Sequence, residues 1–119
     1  MDISNMDMLH TLKPAAFHIL LALAEHDSHG YAVMQTVRQQ SGGRIPLQTG
    51  SFYRHLSKLI DDGLVVEAPG PKGDDDPRRG TYYRLTAKGR QALLAERSRL
   101  TDLVEHMSRI KLTGKKSDA

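Results

Sequence analysis

One stretch in the middle of the chain, Leu47 to Gly63, has the pattern of a short amphipathic helix. Thr49 is a helix start signal and Gly63 is a helix stop signal, so the predicted helix covers about residues 49–63. Its apolar residues share one face at helical spacing: Phe52, Leu56, Leu59 and Ile60. A chain that contains this helix must also supply a core against which that face packs.

The other face of this helix carries side chains that bond to phosphates and base edges. Its acidic residues come only at the far end, as Asp61 and Asp62. An α-helix fits the major groove of B-DNA, and amide, hydroxyl and cationic side chains make contacts there. We therefore predict DNA contacts from the tip and outer face: Gln48, Thr49, Ser51, Arg54, His55 and Lys58. An ordinary solvated face of a core helix is the alternative, and this helix alone leaves it open.

Upstream, the sequence predicts two helices joined by a short turn. From Ala15 to Ala24 almost every residue is apolar, which is typical of a central core helix, and Pro14 is tolerated in its first turn. The second helix is predicted from about Gly30 to Ser41, with Ser28 as its N-cap. After it, Ile45 is a candidate for a short edge strand.

Downstream, two short strands flank a loop. Leu64 to Glu67 is rich in β-forming residues, and Thr81 to Leu85 is a second such run. Alternation in the second run places Tyr82 and Arg84 on the face opposite to its other residues. The intervening segment, Ala68 to Gly80, is rich in proline and glycine. Together they predict a β-hairpin with an extended tip.

A last helix is predicted from Ala87 to about Leu112, with Thr86 as its cap. Core burial accounts for its first half, but a small domain has nothing left to cover the rest, so we predict a dimer seam. For the same reason the amphipathic arm from Met1 to Leu12 is predicted to pack on a partner subunit or to be frayed. The predicted dimer interface comprises Leu9, Leu93, Leu100, Leu103, Val104, Met107 and Ile110.

The predicted order of elements is helix, helix, short strand, helix, strand, loop, strand and long helix. This is the topology of a winged helix-turn-helix, a mainly α structure with a small β-hairpin (α+β). We expect residues 1–86 to form the DNA-binding domain with its N-terminal arm. Residues 87–119 are expected to form the C-terminal dimerisation helix and a polar tail.

Composition permits this interpretation and excludes others. The 119 residues suffice for one domain, and the net charge of +3 permits a nucleic-acid partner without establishing one. The absence of cysteine excludes disulfides and Cys nucleophiles, and it is typical of a reducing cytoplasm. No apolar run approaches the roughly 18 residues of a membrane span. We therefore expect a cytoplasmic protein with no membrane partner.

Three blocks of the sequence resemble the PadR family of bacterial transcriptional regulators. They are SHGYAVMQTV (Ser28 to Val37), LQTGSFYRHLSKLIDDGLV (Leu47 to Val65) and RRGTYYRLTAKGRQAL (Arg78 to Leu93). The tripeptide HGY and the YYRLT-x-x-G pattern are the most specific parts. The resemblance covers roughly Leu12 to Ile110, and the single C-terminal helix is similar to the short subclass. It implies a dimeric repressor, often of its own or a neighbouring operon, that an effector releases.

This chain departs from the family pattern LSPGTLYPAL in the second of these blocks, at Leu47 to Leu56. Thr49 and Arg54 replace the two prolines, and Arg54 adds a cation to the presumed groove face. The family tyrosine is present as Tyr53, whose ring can pack while its hydroxyl reaches a phosphate. Some short relatives bind flat aromatic drugs between tryptophans, and this chain has no tryptophan with which to do so.

The predicted wing carries cations, which we expect to contact phosphates or the minor groove: Lys72, Arg78, Arg79 and Arg84. The carboxylates of residues 74–76 are expected to point away from DNA or to pair with the arginines. A two-fold dimer would present two recognition helices about one DNA turn, roughly 34 Å, apart and would require a pseudo-palindromic operator.

Other classes of function receive less support. His26, Asp27 and His29 are interpreted as a surface turn, not as a catalytic or metal site, and no enzyme motif is present. We expect no cofactor and no metal. A winged helix used only for protein–protein contact is the alternative function. The effector stays open between an aromatic small molecule, a drug and a partner protein.

Overall fold

The computed structural model describes residues 12–71 and 80–112. Within these residues it contains four helices and a small three-stranded antiparallel sheet. In chain order the elements are α1 (Pro14–Glu25), β1 (Ser28–His29), α2 (Gly30–Gln40), α3 (Thr49–Asp61), β2 (Val65–Ala68), β3 (Tyr82–Leu85) and α4 (Ala87–Arg109). The predicted winged helix-turn-helix fold is confirmed.

The core forms where the first three helices meet over the sheet. Helix α1 begins at Pro14, as predicted, and is apolar nearly all round because it is covered on several sides. Each large apolar side chain that is fully buried stabilises the fold by about 1.5–3 kcal/mol. The largest of these side chains come from every layer: Ile19, Leu20 and Leu23 of α1, Val33 and Val37 of α2, Phe52 and Leu56 of α3, and Val65 of β2.

The third strand of the sheet is β1, which pairs with β3 through Ser28 opposite Tyr83 and His29 opposite Tyr82. The sequence prediction had placed a short strand at Ile45, and that prediction was wrong. Ile45 instead packs against the core, and its amide donates a 3.1 Å hydrogen bond to the Oγ of Ser41. The sheet order is therefore β1-β3-β2, with β3 in the centre.

The N-cap of α2 is His29 and not Ser28, so this prediction was also wrong. Ser28 belongs to β1, where its extended backbone pairs with Tyr83. The Nδ1 atom of His29 accepts a hydrogen bond from the amide of Ala32 at 3.3 Å, which is the contact that a serine cap would have made. The cap therefore lies one residue later than predicted, at the last residue of β1.

The long helix begins where the sequence indicated and ends slightly earlier. The Thr86 hydroxyl accepts a hydrogen bond from the amide of Gly89 at 2.9 Å, so the predicted cap is confirmed. Helix α4 ends at Arg109, before the expected limit near Leu112, because Ile110 adopts an extended conformation. No helix in the described ranges has the length and apolarity needed to cross a membrane. The N-terminal arm and the tail after residue 112 lie outside the described residues.

Candidate nucleic-acid interface

Helix α3 divides cleanly into a buried and an outward face. Phe52, Leu56 and Leu59 are at most 3% exposed and anchor the helix to the core. Opposite them, Gly50, Arg54, Ser57, Lys58 and Asp61 are exposed to solvent. Their spacing of three to four residues places them on one outward face. Arg54 lies near the centre of this face, and Ser57 was absent from the sequence prediction although its spacing from Arg54 marks it as a neighbour.

The tip of α3 is held by its own first turn. Gln48 is the N-cap, one residue before the predicted start signal Thr49. The Oγ of Ser51 accepts a hydrogen bond from the amide of Gln48 at 3.2 Å and donates one to its carbonyl oxygen at 3.0 Å. Because the only hydroxyl proton of Ser51 is donated within the chain, its remaining capacity is that of an acceptor. Gln48 and Thr49 are exposed at the tip.

Tyr53 connects α3 to the start of α2. Its ring packs edge-to-face on Phe52, with ring centroids 4.9 Å apart. A Cβ atom added at Gly30 would lie 2.6 Å from the Tyr53 hydroxyl oxygen, so the hydroxyl sits directly over Gly30. The side chain of Tyr53 is still 46% exposed. Its hydroxyl therefore lies at the surface where the first turn of α2 meets α3.

Two exposed residues on α2 lie beside this contact and were missed by the sequence analysis. The Nε2 atom of Gln35 donates a 3.0 Å hydrogen bond to the hydroxyl of Tyr31. Both side chains are exposed, and Tyr31 directly follows Gly30. The tripeptide HGY therefore has three local roles: His29 caps α2, Gly30 makes room for Tyr53, and Tyr31 faces solvent. The sequence had indicated that a helix begins here, but it had not indicated these three roles.

The exposed cation on β3 is already paired within the chain. Arg84 donates to the Oδ2 atom of Asp27 from Nη2 at 2.8 Å and from Nε at 3.1 Å. This hydrogen-bonded carboxylate raises the pKa of Arg84. Arg84 was predicted as a DNA contact, and it can reach a phosphate only if it shares its donors with Asp27 or leaves it. The other predicted wing cations, Lys72, Arg78 and Arg79, lie outside the described residues.

The remaining predicted contacts on α3 differ in their surroundings. Lys58 is exposed, and its ammonium lies 3.3 Å from the carboxylate of Asp62 one helical turn later. His55 is half-buried at the edge of the apolar face. The outward face therefore has two cations. Arg54 has no carboxylate partner within the described residues, and Lys58 is paired with Asp62.

His26, Asp27 and His29, which were considered as an alternative enzyme or metal site, make local contacts around the turn in which they lie. The Nδ1 atom of His26 donates to the carbonyl oxygen of Asp27 at 2.9 Å, while Asp27 itself binds Arg84. His29 accepts from Ala32, as described above. Within residues 12–71 and 80–112, no group of three or more His, Asp or Glu side chains is placed to hold a metal ion.

Helix α4 leaves apolar side chains uncovered along its second half. Leu93 packs against the core, but Leu103 is 46% and Met107 is 52% exposed, and Leu100, Val104 and Ile110 are also exposed. Between α1 and α4 lies an apolar groove of about 510 Å³, whose lining includes Phe17, Leu21, Leu94, Leu100 and Val104. Glu96 interrupts the apolar spacing: it is buried and binds Arg99 through two 2.9 Å hydrogen bonds. Leu9 lies outside the described residues.

Comparison with known proteins identifies the family. The sequence profile of the transcriptional regulator PadR-like family matches residues 19–95, which include the second half of α1, both helices of the helix-turn-helix, the sheet and the start of α4. The chain belongs to this family. Among curated proteins, none matches the sequence. The resemblance seen in the three sequence blocks is thereby confirmed.

Solved structures share the PadR-like fold. A PadR family transcription regulator from Clostridium difficile R20291 is 20% identical with a TM-score of 0.67, covering 82% of this chain and 97% of that chain. A transcriptional regulator from Clostridium thermocellum is 25% identical with a TM-score of 0.59, covering 82% and 90%. Bacillus subtilis PadR in complex with operator DNA is 23% identical with a TM-score of 0.56, covering 68% of this chain and 45% of its own.

The family membership assigns the general activity of the chain. It is a PadR-like transcriptional regulator with a winged helix-turn-helix. In this fold α2 and α3 are the two helices of the helix-turn-helix, and α3 is the recognition helix that the sequence pattern indicated. The individual DNA contacts predicted from the sequence stay predictions.

Proposed function

We propose that this PadR-like regulator is a dimeric repressor that binds a pseudo-palindromic operator and is released by an effector. The observation that carries the proposal is the division of α3. Its apolar stripe packs against the core, and no hydrogen bond of the exposed Arg54 or Ser57 side chain is found within the described residues, while Lys58 pairs only with Asp62 one turn later. Groups of these types, presented on an outward helix, bond to phosphates and base edges.

The proposed contacts differ in what they supply. To Arg54 we assign two hydrogen bonds to a guanine edge, which is the commonest specific contact in the major groove. Gln48, Thr49, Ser51 and His55 surround it at the tip and along the side of α3. Tyr53, Lys58 and the wing cations are assigned to phosphates, which position the helix without reading sequence. The operator complex of Bacillus subtilis PadR supports DNA as the partner of this fold.

Dimerisation follows from the apolar residues of α4. Leu103, Val104 and Met107 are exposed together, and the groove beside α1 continues the same apolar surface. Exposed apolar surface that continues in this way marks a contact with another protein. A second copy of this chain would cover it and would place two copies of α3 side by side. One short helix contacts too few bases for a long operator, so both halves are needed.

The test is fluorescence anisotropy on two duplexes, the promoter of the neighbouring operon and a shuffled control, each across a salt series. We expect tight binding to the promoter at a salt concentration that releases the control, because phosphate contacts weaken with salt and base contacts keep the preference. Equal binding to both duplexes, erased by salt, would contradict sequence-specific repression. The protein–protein interaction module would then be the better description.

Repression and release need a separate readout. A reporter driven by the bound promoter should rise in expression when the gene for this chain is deleted. Adding a panel of aromatic compounds should then lower the affinity for the promoter duplex if one of them is the effector. A reporter that falls on deletion would make the protein an activator.

A further inference from the structure

The end of α3 and the start of α4 meet at a junction that we call the helix joint, residues 62–64 and 86–89. The Nζ of Lys88 donates to the carbonyl oxygen of Asp62 at 2.8 Å. The hydroxyl of Thr86 donates to the carbonyl oxygen of Gly63 at 2.7 Å, and the amide of Thr86 donates to the carbonyl oxygen of Leu64 at 3.1 Å. Three consecutive carbonyl groups after the recognition helix are therefore held by the next helix.

These bonds engage the carbonyl group of the C-cap residue of α3, Asp62, and those of the two residues that follow it. The last carbonyl groups of a helix have no partner inside it and carry partial negative charge, which a cation stabilises. The first turn of α4 supplies that cation through Lys88. The Thr86 hydroxyl also accepts from the amide of Gly89 at 2.9 Å, so the same oxygen caps the start of α4 while its proton binds the carbonyl group after α3.

Gly89 brings the two backbones into direct contact. A Cβ atom at this position would overlap the carbonyl oxygen of Leu64 and the side chain of Leu85. The requirement at Gly89 is therefore space, since its backbone is ordinary helix. Backbone against backbone is stiffer than a contact between side chains that can change rotamer. The T-x-x-G pattern at Thr86 and Gly89 is explained by this contact.

We propose that Thr86, Lys88 and Gly89 are positioning residues that set the separation and tilt of the two recognition helices in the dimer. The inference rests on the proposed function, in which α4 carries the dimer contact and α3 reads the operator. In such a dimer the position of α3 relative to its twin depends on how firmly α3 is held to α4. A helix joint that allows α3 to move relative to α4 would therefore allow the dimer to bind operators with a wider range of half-site spacings.

The test measures anisotropy on duplexes in which the spacing between half-sites is lengthened or shortened by single base pairs, and on a duplex with one half-site. Lys88→Met removes the donor and keeps a side chain of similar length. Arg90→Met is the matched control: it removes one charge from the same helix, and among the described residues no hydrogen bond of the Arg90 side chain is found. Lys88→Arg restores a donor.

We expect Lys88→Met to reduce the preference for the best spacing over the next one by about fivefold, the typical net contribution of one hydrogen bond when water can replace the donor. Affinity for the single half-site should stay within about twofold, because the outward face of α3 is unchanged. Arg90→Met should weaken all duplexes alike, and Lys88→Arg should return the wild-type profile. A wild-type profile for Lys88→Met would overturn the inference.

Gly89→Ala provides a second, independent variant. Its methyl group should wedge the backbones apart and move the best spacing, with folding checked by circular dichroism. A folded Gly89→Ala protein with the wild-type optimum would also overturn the inference. If the wild-type protein binds every duplex equally, the proposed function itself fails, which is distinguishable because no spacing preference then exists for any variant.

Discussion

Helices α3 and α4 differ in which kind of residue they leave uncovered. Helix α3 buries Phe52, Leu56 and Leu59 and exposes polar and cationic side chains on the opposite face. Helix α4 does the reverse in its second half, where Leu103, Val104 and Met107 face solvent. A polar and cationic face that does not pack against the core favours a negatively charged partner. An uncovered apolar face favours contact with another protein surface. The two helices therefore indicate two different partners for one small chain.

The largest expected effect comes from making the uncovered face of α4 polar. Leu103→Glu together with Met107→Glu should yield monomers by analytical ultracentrifugation, because four carboxylates would meet in the contact between two copies. Operator affinity should fall by about 100-fold or more, since each half then binds alone. The fold should be unaffected, because both residues are exposed. A dimer that survives both changes would contradict the role given to α4.

Removing the central cation of α3 should have the next largest effect. Arg54→Ala should weaken binding to the operator by about 1–3 kcal/mol and should weaken binding to shuffled DNA by clearly less. The reason is that contacts to base edges distinguish one DNA sequence from another. Lys58→Ala is the matched control on the same face, and it should weaken both duplexes to a similar extent. Equal losses for Arg54→Ala on the two duplexes would make Arg54 a phosphate contact.

A smaller effect should mark the edge of the α3 face. Gly30→Ala should displace the Tyr53 hydroxyl, which is the far end of a half-exposed side chain and can move outward. We expect operator affinity to fall by about fivefold, with the unfolding temperature nearly unchanged, if that hydroxyl binds a phosphate. In a Tyr53→Phe background, Gly30→Ala should have no further effect on binding. A full loss in that background would assign the effect to the backbone of α2.

The smallest effect concerns the sheet on which α3 rests. Burial, with help from neighbouring Tyr53 and Glu67, raises the pKa of Tyr83 above its usual value of 10.0. The unfolded chain therefore ionises first, and the stability that the neutral phenol contributes is present below pH 10.0 and is lost as pH rises further. Urea unfolding measured on both sides of this pH should show the decline. Tyr83→Phe should show less of it.

The sequence predicted those parts of the structure that depend on local pattern. The apolar run of α1, the stripe of α3 and the spacing along α4 each follow from helical periodicity, and the Thr86 cap follows from the chemistry of a hydroxyl. The outward side chains of α3 were predicted by the same means. The missed Ser57 was available from its spacing of three residues from Arg54.

The sequence did not predict what depends on distant partners. Strand β1 is two residues long and exists only because β3 lies beside it, so no pattern near Ser28 announces it. Tyr82 is only 8% exposed although it lies on the outer face of β3, because the ring of His29 and the backbone at Gly70 cover it. The pairing of Arg84 with Asp27, which are 57 residues apart, was hidden for the same reason.

The pairing of β1 with β3 also determines when the domain can fold during its synthesis. The central strand β3 and its partner β1 are at opposite ends of the domain, so the sheet cannot close on the ribosome until most of the chain has been synthesised. Until then α1, apolar nearly all round, lacks much of its cover and is exposed to aggregation or to chaperones. A nascent chain that has emerged only as far as α3 therefore lacks the sheet and α4, against which the end of α3 is held in the folded protein.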